Sequence, residues 1–150
     1  MLHLLFRMGS DLFAMPANEI EKVLPLPDLE PLALAPDHVA GLLRYQGELI
    51  PVLDVNRLQG SPACRRVAST RIVLVGAEDR SRLGLMVEQA LEMLDLQAPQ
   101  SLARELIQDP RGWLKPTLHD TPLGLVRGVH WRALLTPELR ALAGPEPGGA

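Results

Sequence analysis

Proline and glycine interrupt this chain so often that long regular elements are not expected. The 150 residues include 14 prolines and 12 glycines, about one residue in six, against roughly one in eight in an average protein. Proline lacks the backbone N–H that a helix or an inner strand uses, and glycine weakens both kinds of element. The chain is therefore predicted to fold from many short elements joined by turns.

The composition predicts one globular domain in a reducing compartment. Hydrophobic residues make up 47% and charged residues 22%, and a chain of this length buries enough surface to fold without disulfides. The net charge of −3 gives no global attraction for nucleic acid or anionic lipid. The single cysteine, Cys64, excludes an internal disulfide and a cysteine metal cage. Without a membrane-length apolar run or a secretory signal pattern, we expect a cytoplasmic protein with no direct membrane insertion.

Continuous apolar runs predict the strands. Residues 2–6 and 12–15 form a candidate hairpin around a Gly-Ser-Asp turn. Residues 71–76 are apolar without alternation, which is typical of a strand buried on both faces, and residues 83–87 are the predicted hairpin partner. Residues 85–94 are ambiguous, because propensity alone favours a helix there.

The stretch from Val39 to Val55 is the most informative segment. Two apolar runs flank Gln46-Gly47-Glu48, and the glycine allows the positive φ of a tight hairpin turn. Pro51 lies within the second run. Because proline cannot donate to a neighbouring strand, this run is predicted to be an edge strand or to contain a bulge.

Helices are predicted to be few and short. Asn18 to Leu24 has a capping residue and apolar residues at helical spacing, which favours one or two turns. Residues 100–108 are compatible with a short amphipathic helix. The Thr-Pro pair at residues 136–137 is a favourable start for a helix that extends to Leu142.

The sequence carries no recognised catalytic or cofactor motif. It contains no P-loop, no dinucleotide-binding glycine pattern and no nucleophile elbow, so we expect no cofactor. The four histidines lack the helical spacing of a metal pair, and we expect solvated surface histidines and no metal site. Cys64 precedes two arginines that could lower its pKa and make it reactive, although an incidental thiol is the simpler interpretation. The arginines of this loop lack interleaved aromatic residues, so no nucleic-acid partner is expected.

Three blocks of the sequence resemble the CheW-like family, the adaptor proteins of bacterial chemosensory arrays. The positions that match the family pattern in the clearest block, residues 39–55, are Gly41, Gly47, Pro51, Val52 and Asp54. A second block joins the apolar strand at residues 72–75 to Gly84, and a weaker third block begins at Phe13. The likeness extends in order over residues 3–140.

The resemblance implies an all-β fold of two small five-stranded SH3-like β-barrels packed on a common core, with short helices. It assigns residues 1–143 to one CheW-like domain with two barrel subdomains, followed by a flexible tail over residues 144–150. It also favours a strand through the ambiguous residues 85–94.

The resemblance further implies a non-enzymatic adaptor with two partners. It would couple the cytoplasmic tip of a methyl-accepting chemoreceptor to the regulatory domain of a CheA-type histidine kinase, in the cytoplasm at membrane-associated receptor clusters. The kinase contact is expected on an apolar surface of one barrel, and the receptor contact in a groove between the barrels. The receptor-groove candidates that the resemblance implies are Ile20, Lys22, Val23, Arg44, Tyr45, Gln46, Gly47 and Glu48.

The sequence departs from the family pattern at this groove. The family's turn arginine falls on Gln46, and its glutamate in the N-terminal segment falls on Lys22. Arg44 is expected on the same strand face as Gln46, where it could supply the missing cation and, with Lys22, make the groove basic; the alternative is that both are solvated surface charges. Two family aspartates correspond to Glu88 and Thr136. These departures concern the receptor more than the fold, and the pathway need not control swimming.

Two other interpretations are open. An undetected ligand-binding or hydrolytic β-barrel would show a concave pocket lined by titratable groups with shifted pKa values. A fragment of a chemosensory kinase would share the fold, because such kinases end in a domain of this type. The start at Met1 favours a separate protein.

Overall fold

The computed structural model describes residues 1–97, 99–101, 109 and 111–145, and in this part of the chain it contains two antiparallel-rich sheets. The strands are β1 (Leu2–Met8), β2 (Asp11–Pro16), β3 (Ile20–Pro25), β4 (Val39–Tyr45), β5 (Glu48–Asp54), β6 (Arg71–Gly76), β7 (Arg82–Val87), β8 (Gln89–Asp95), β9 (Gln100–Ser101), β10 (Leu114–Thr121), β11 (Gly124–Val129) and β12 (Gly144–Pro145). The first sheet has the order β8-β1-β2-β11-β10-β9. The second has the order β12-β5-β7-β6-β3, with β4 also paired to β5.

The two sheets correspond to the two predicted barrels. Without the two-residue strands β9 and β12, each sheet has five strands, so the all-β prediction is confirmed. The described helices are as short as the proline and glycine content predicts: α1 (Val55–Leu58), α2 (Pro137–Leu142) and two 3₁₀ turns at Ala17–Glu19 and Trp131–Leu134. None of the helices in the described residues is long and apolar enough to cross a membrane.

Strands β1 and β2 are buried on both faces, which explains their continuous apolar runs. Phe6 and Phe13 face a large core that also contains residues of the second sheet, such as Leu85. Leu5 and Ala14, which point the other way, pack in a separate small cluster inside the first barrel. The two barrels therefore share a common core, as the family resemblance implies.

The hairpin over residues 39–54 forms as predicted, with β4 and β5 joined at Gln46-Gly47. Both turn residues have positive φ, +50° and +78°, which matches a primed two-residue turn. The prediction that Pro51 makes this an edge strand is wrong, because β5 lies inside the sheet. The hairpin does contain a register shift, but it lies in β4 between Val39 and Gly41 and not at Pro51. β12 pairs with residues 48–49 and β7 with residues 52–54, so the missing N–H of Pro51 lies between two partners.

Two segments with helical composition form strands. The helix predicted over residues 18–24 is wrong: β3 begins at Ile20, pairs with β6 and packs Ile20 and Val23 against the core. Residues 89–95 form β8 beside β1, as the resemblance favours. In both segments pairing with a distant strand overrides local propensity.

The C-terminal predictions have mixed outcomes. The helix after Thr136 is confirmed as α2, and the Thr136 hydroxyl accepts from the Leu139 N–H as an N-cap. Residues 100–101 form β9, and the rest of the helix predicted there, residues 102–108, lies outside the described residues. The flexible tail stays a prediction: its first two residues form β12 against β5, and residues 146–150 are outside the described part.

The glycines of the family pattern allow close packing. Gly41 has a φ of +149°, and a Cβ there would lie 2.6 Å from the carbonyl oxygen of Glu30. A Cβ at Gly84 would lie 2.9 Å from a methyl group of Val52 and 3.1 Å from one of Ile72. Gly41 lets the loop before β4 approach it, and Gly84 lets β5, β6 and β7 pack without a gap.

Asp54 anchors the loop that follows β5. Its carboxylate is buried, caps α1 by accepting from the Asn56 N–H at 3.0 Å, and accepts from the Cys64 N–H at 2.9 Å. Glu88 accepts from the Asn56 side chain at 2.9 Å and from the Arg65 N–H at 3.1 Å. The loop is therefore fixed to the ends of β5 and β7 by two carboxylates.

The Cys64 thiol lies within the core and is not activated. Burial, and next the neighbouring Asp54 carboxylate, raise the pKa of Cys64 to about 12. A thiolate is therefore scarce at neutral pH, and the incidental interpretation of Cys64 fits this environment better than the reactive one.

Two histidines are buried in the first barrel, against the expectation of surface positions. His3 and His119 lie with ring centroids 5.6 Å apart. Each Nδ1–H donates to a backbone carbonyl, that of Met1 at 2.8 Å for His3 and that of Gln97 at 3.0 Å for His119. Burial lowers the pKa of His3, and the neighbouring His119 and Lys115 add to this effect. Strand alternation and barrel closure, rather than residue type, decide the position of these side chains.

We predict that Asp54→Ala lowers the free energy of unfolding by about 3 kcal/mol, because a helix cap is lost and a buried N–H at Cys64 is left unpaired. Asp54→Asn keeps one acceptor oxygen and should cost roughly half as much. Urea denaturation followed by circular dichroism measures both. Asp120→Ala, at an exposed position, is the control and should change stability by less than about 0.5 kcal/mol. Equal stability of Asp54→Ala and this control would contradict the anchoring role.

We predict that acid weakens the fold through His3. Its folded-state pKa lies below 6.5, so the unfolded chain takes up a proton as the pH falls through 6.5 while folded His3 resists it. This contribution is complete above pH 6.5 and is lost as the pH falls; each unit of pKa difference corresponds to about 1.4 kcal/mol. In His3→Asn, which retains a donor near the Nδ1 position, the loss of stability between pH 7 and 5 in urea titrations should be smaller. An identical loss in both proteins would contradict the prediction.

Candidate functional site

One arginine joins both of the segments that sequence reasoning assigns to the receptor groove. Arg82, the first residue of β7, donates from Nε and Nη2 to the two carboxylate oxygens of Glu21 at 2.9 and 3.0 Å. Its Nη1 donates to Glu48 at 2.9 Å. The guanidinium carbon lies 6.0 Å from the ring centroid of Tyr45. These four residues, Glu21, Tyr45, Glu48 and Arg82, are called the Arg82 cluster below.

A bulge in β3 directs Glu21 into this cluster. The pairing of β3 with β6 shifts register between Ile20 and Lys22, so that Glu21 is the extra residue. Such a bulge re-aims a side chain. Gly76 stands opposite Arg82 in the β6–β7 pair, and a Cβ at Gly76 would overlap the Glu21 carboxylate. Because Gly76 has no side chain, the Glu21 carboxylate can reach Arg82.

The Arg82 cluster holds its charges in fixed positions. Hydrogen bonding to Glu21, reinforced by the charge of Glu48, raises the pKa of Arg82, so its guanidinium stays charged. The Arg82 side chain is 24% exposed, which leaves it partly shielded from solvent. Two carboxylates offset Arg82 and the exposed Lys22, so the surface is balanced rather than basic as the sequence suggested.

The structure brings some of the receptor-groove candidates together. Tyr45 and Glu48 form the base of the hairpin turn and belong to the Arg82 cluster, with Gln46 and Gly47 as the exposed turn. Ile20 lies next to Glu21 at the start of β3, with Lys22 and Val23 beyond it. The β3 segment and the turn therefore lie at the same end of the second sheet.

Arg44 lies on the other face of β4. Its Nε donates to Glu30 of the preceding loop at 3.0 Å, and both side chains are about half exposed. Tyr45, the next residue in the strand, packs against the core, and Gln46 is in the turn with positive φ. Arg44 and Gln46 thus do not share a strand face, and the cation beside the turn is Arg82. Arg82 lies close to the turn because β7 pairs in parallel with β5. No local signal in the sequence predicts this pairing.

A cleft of about 260 Å³ adjoins the Arg82 cluster. It is lined by Glu48, Arg82, Ser81, Asp79 and Arg140, and Arg140 donates to the Ser81 hydroxyl at 2.7 Å. Hydrogen bonds from Ser81 lower the pKa of Asp79, while Glu21 raises that of Arg82. Both shifts stabilise the charged forms and move the pKa values away from neutrality, unlike those of an acid–base pair in a hydrolase. The described residues contain no group of three or more side chains placed to hold a metal ion.

Comparison with known proteins gives concordant results. The family model of the CheW-like domain matches residues 2–120. A protein named chemotaxis protein CheW from Treponema pallidum (strain Nichols) is 23% identical over 103 residues, which cover 63% of this chain and 60% of that protein. The crystal structure of the scaffolding protein TtCheW from Thermoanaerobacter tengcongensis superposes with a TM-score of 0.75 at 15% identity, covering 87% of this chain and 85% of the other.

The match to the curated relative spans about 60% of that protein's length, and the structural likeness at 15% identity concerns the fold. The family match covers most of the chain and includes strands of both sheets, the hairpin at residues 39–54 and the Arg82 cluster, while β11 and β12 lie beyond it. The chain belongs to the CheW-like domain family.

Proposed function

We propose that this protein is a non-catalytic scaffold that couples a chemoreceptor to a CheA-type histidine kinase. Family membership supports this role, as do relatives named chemotaxis protein CheW and scaffolding protein. The observation that carries the proposal is the Arg82 cluster, which ties the start of β3 to the hairpin turn at the expected receptor surface. The scaffold would reach the membrane through the receptor cluster.

The receptor arm of the proposal places the cytoplasmic tip of the receptor against the Arg82 cluster. Because Glu21 and Glu48 offset the charges of Arg82 and Lys22, this surface favours a receptor tip with polar groups of both signs over a strongly acidic one. Ile20 and Val23 of β3 are half-buried and supply apolar area beside the cluster, while Lys22 is exposed. An interface with apolar positions and a polar surround is typical of specific protein contacts.

The kinase arm of the proposal uses the β8 edge of the first sheet, which pairs with β1 alone among the described strands. β8 lies at one end of that sheet and exposes Leu91 and Met93, which are 37% and 44% accessible. Leu2 on β1, diagonal to Met93, is also exposed. An edge strand with adjacent apolar side chains favours docking of another protein domain. We propose that the regulatory domain of the kinase binds at this edge.

We predict that Arg82→Ala weakens receptor binding about tenfold and leaves kinase binding unchanged, because two carboxylates lose their shared partner and the turn loses its link to β3. Titration calorimetry with a receptor-tip fragment and with the kinase regulatory domain measures the two affinities. Arg66→Ala, an exposed loop arginine, is the matched control. Unchanged receptor affinity in a folded Arg82→Ala protein would refute the receptor arm.

We predict that Leu91→Glu combined with Met93→Glu reduces kinase affinity at least about tenfold, since a buried charge at an interface centre disrupts binding strongly. Receptor affinity should stay within about twofold of the original protein. Val67→Glu changes an exposed apolar residue in a loop outside the sheets and serves as the control. Kinase binding that survives the double change would remove the β8 edge from the interface.

A further inference from the structure

A cleft of about 720 Å³ lies between the first sheet and the end of α1. Its walls come from β2, β10 and β11 on one side and from residues 57–60 on the other. Leu118, Leu125 and Trp113 give it an apolar surface, and Arg127 of β11 forms part of the wall. This volume lies within the range of small-molecule sites. It is called the Arg127 cleft below.

Arg127 holds two buried N–H groups for which the described residues supply no acceptor. These groups are on Nε and Nη2, which form one edge of the guanidinium plane. A buried donor of a charged group without an acceptor is rare and costly in native proteins. The edge is therefore the feature of this cleft that requires an explanation.

Arg82 shows what this edge binds. Its Nε and Nη2 donate in parallel to the two oxygens of the Glu21 carboxylate, at 2.9 and 3.0 Å. The same pair of atoms on Arg127 has the geometry for a carboxylate but has no such partner in the described part of the chain. In Arg82 both donors of this edge are hydrogen-bonded, whereas in Arg127 neither donor has an acceptor among the described residues.

The remaining charges of the Arg127 cleft favour an anion. Arg57 and Arg111 also line it. Of the two acidic residues in the lining, Asp109 already accepts from the backbone N–H groups of Arg111 at 3.3 Å and of Leu114 at 2.7 Å. Asp11, at the start of β2, is the other carboxylate. Three arginines against two carboxylates leave a net positive site.

We propose that the Arg127 cleft binds a small organic acid, with its carboxylate on the Nε and Nη2 edge of Arg127 and its apolar body on Leu118 and Leu125. In this structure the Nε and Nη2 edge is covered, while Arg127 itself lines the cleft. The proposal therefore includes a turn of the Arg127 side chain on binding, which would bring this edge to the ligand. The apolar wall distinguishes the proposed ligand from inorganic phosphate, which has no apolar part.

The test uses the full chain with ¹⁵N-labelled arginine, and the probes are phenylacetate and its neutral analogue phenylacetamide. The Nε–H resonance of Arg127 is identified by its absence from the spectrum of the Arg127→Lys variant. We expect this resonance to shift and to saturate with phenylacetate and to stay in place with phenylacetamide. Arg127→Lys keeps the charge but loses the two-pronged geometry, and should weaken phenylacetate binding at least about tenfold, as measured by calorimetry.

Controls make the result decisive. Arg80→Gln changes an exposed arginine outside the cleft and should leave phenylacetate binding unaffected, as should Arg82→Ala, so the outcome is independent of the scaffold function. If Arg127→Lys folds poorly, Arg127→Gln, which removes the same resonance, takes its place in the assignment, and the titration of the unmodified protein is then interpreted in the same way. No saturable shift, a shift with phosphate alone, or equal binding by Arg127→Lys would overturn the proposal. Saturation by a glutamate-containing peptide but not by phenylacetate would also overturn it, in favour of a protein ligand.

Discussion

The burial of β1 and β2 on both faces is the constraint on which the rest of the structure depends. One face closes the first barrel around Leu5 and Ala14, and the other face supplies Phe6 and Phe13 to the core shared with the second sheet. The shared core contains buried side chains from both sheets, so each sheet covers an apolar face of the other. A polar residue on either face of these strands would open one core or the other.

Each sheet also contains one parallel pairing between strands distant in sequence. β2 pairs with β11 in the first sheet, and β5 pairs with β7 in the second. These pairings join distant parts of the chain within each sheet and set which strand ends meet. Arg82 reaches Glu48 because β7 lies beside β5, and Arg127 reaches the cleft because β11 lies beside β2. The candidate sites of this chain are therefore products of its non-local topology.

Local signals in the sequence predict much of the fold and little of the site. The apolar runs of β6 and β7, the turn at Gln46-Gly47 and the cap of α2 depend on neighbouring residues, and they are confirmed. The helix over residues 18–24 and the edge position of Pro51 are wrong, since distant strands decide both. The same limit hides Arg82, whose importance follows from strand order. The family resemblance supplies the two-barrel architecture, which periodicity alone does not.

The bulge at Glu21 and the glycine at residue 76 make the charge arrangement of the proposed receptor surface part of the fold. Glu21 leaves the strand alternation at the bulge, and its carboxylate occupies the space that a side chain at Gly76 would fill. Arg82 is then held by two carboxylates and a ring, with few donors left for a partner. Its role is to position the turn and β3 relative to each other, while partner contacts fall to the side chains around it. The same edge of Arg127 has no acceptor among the described residues, and this difference from Arg82 is the basis for proposing a ligand at Arg127.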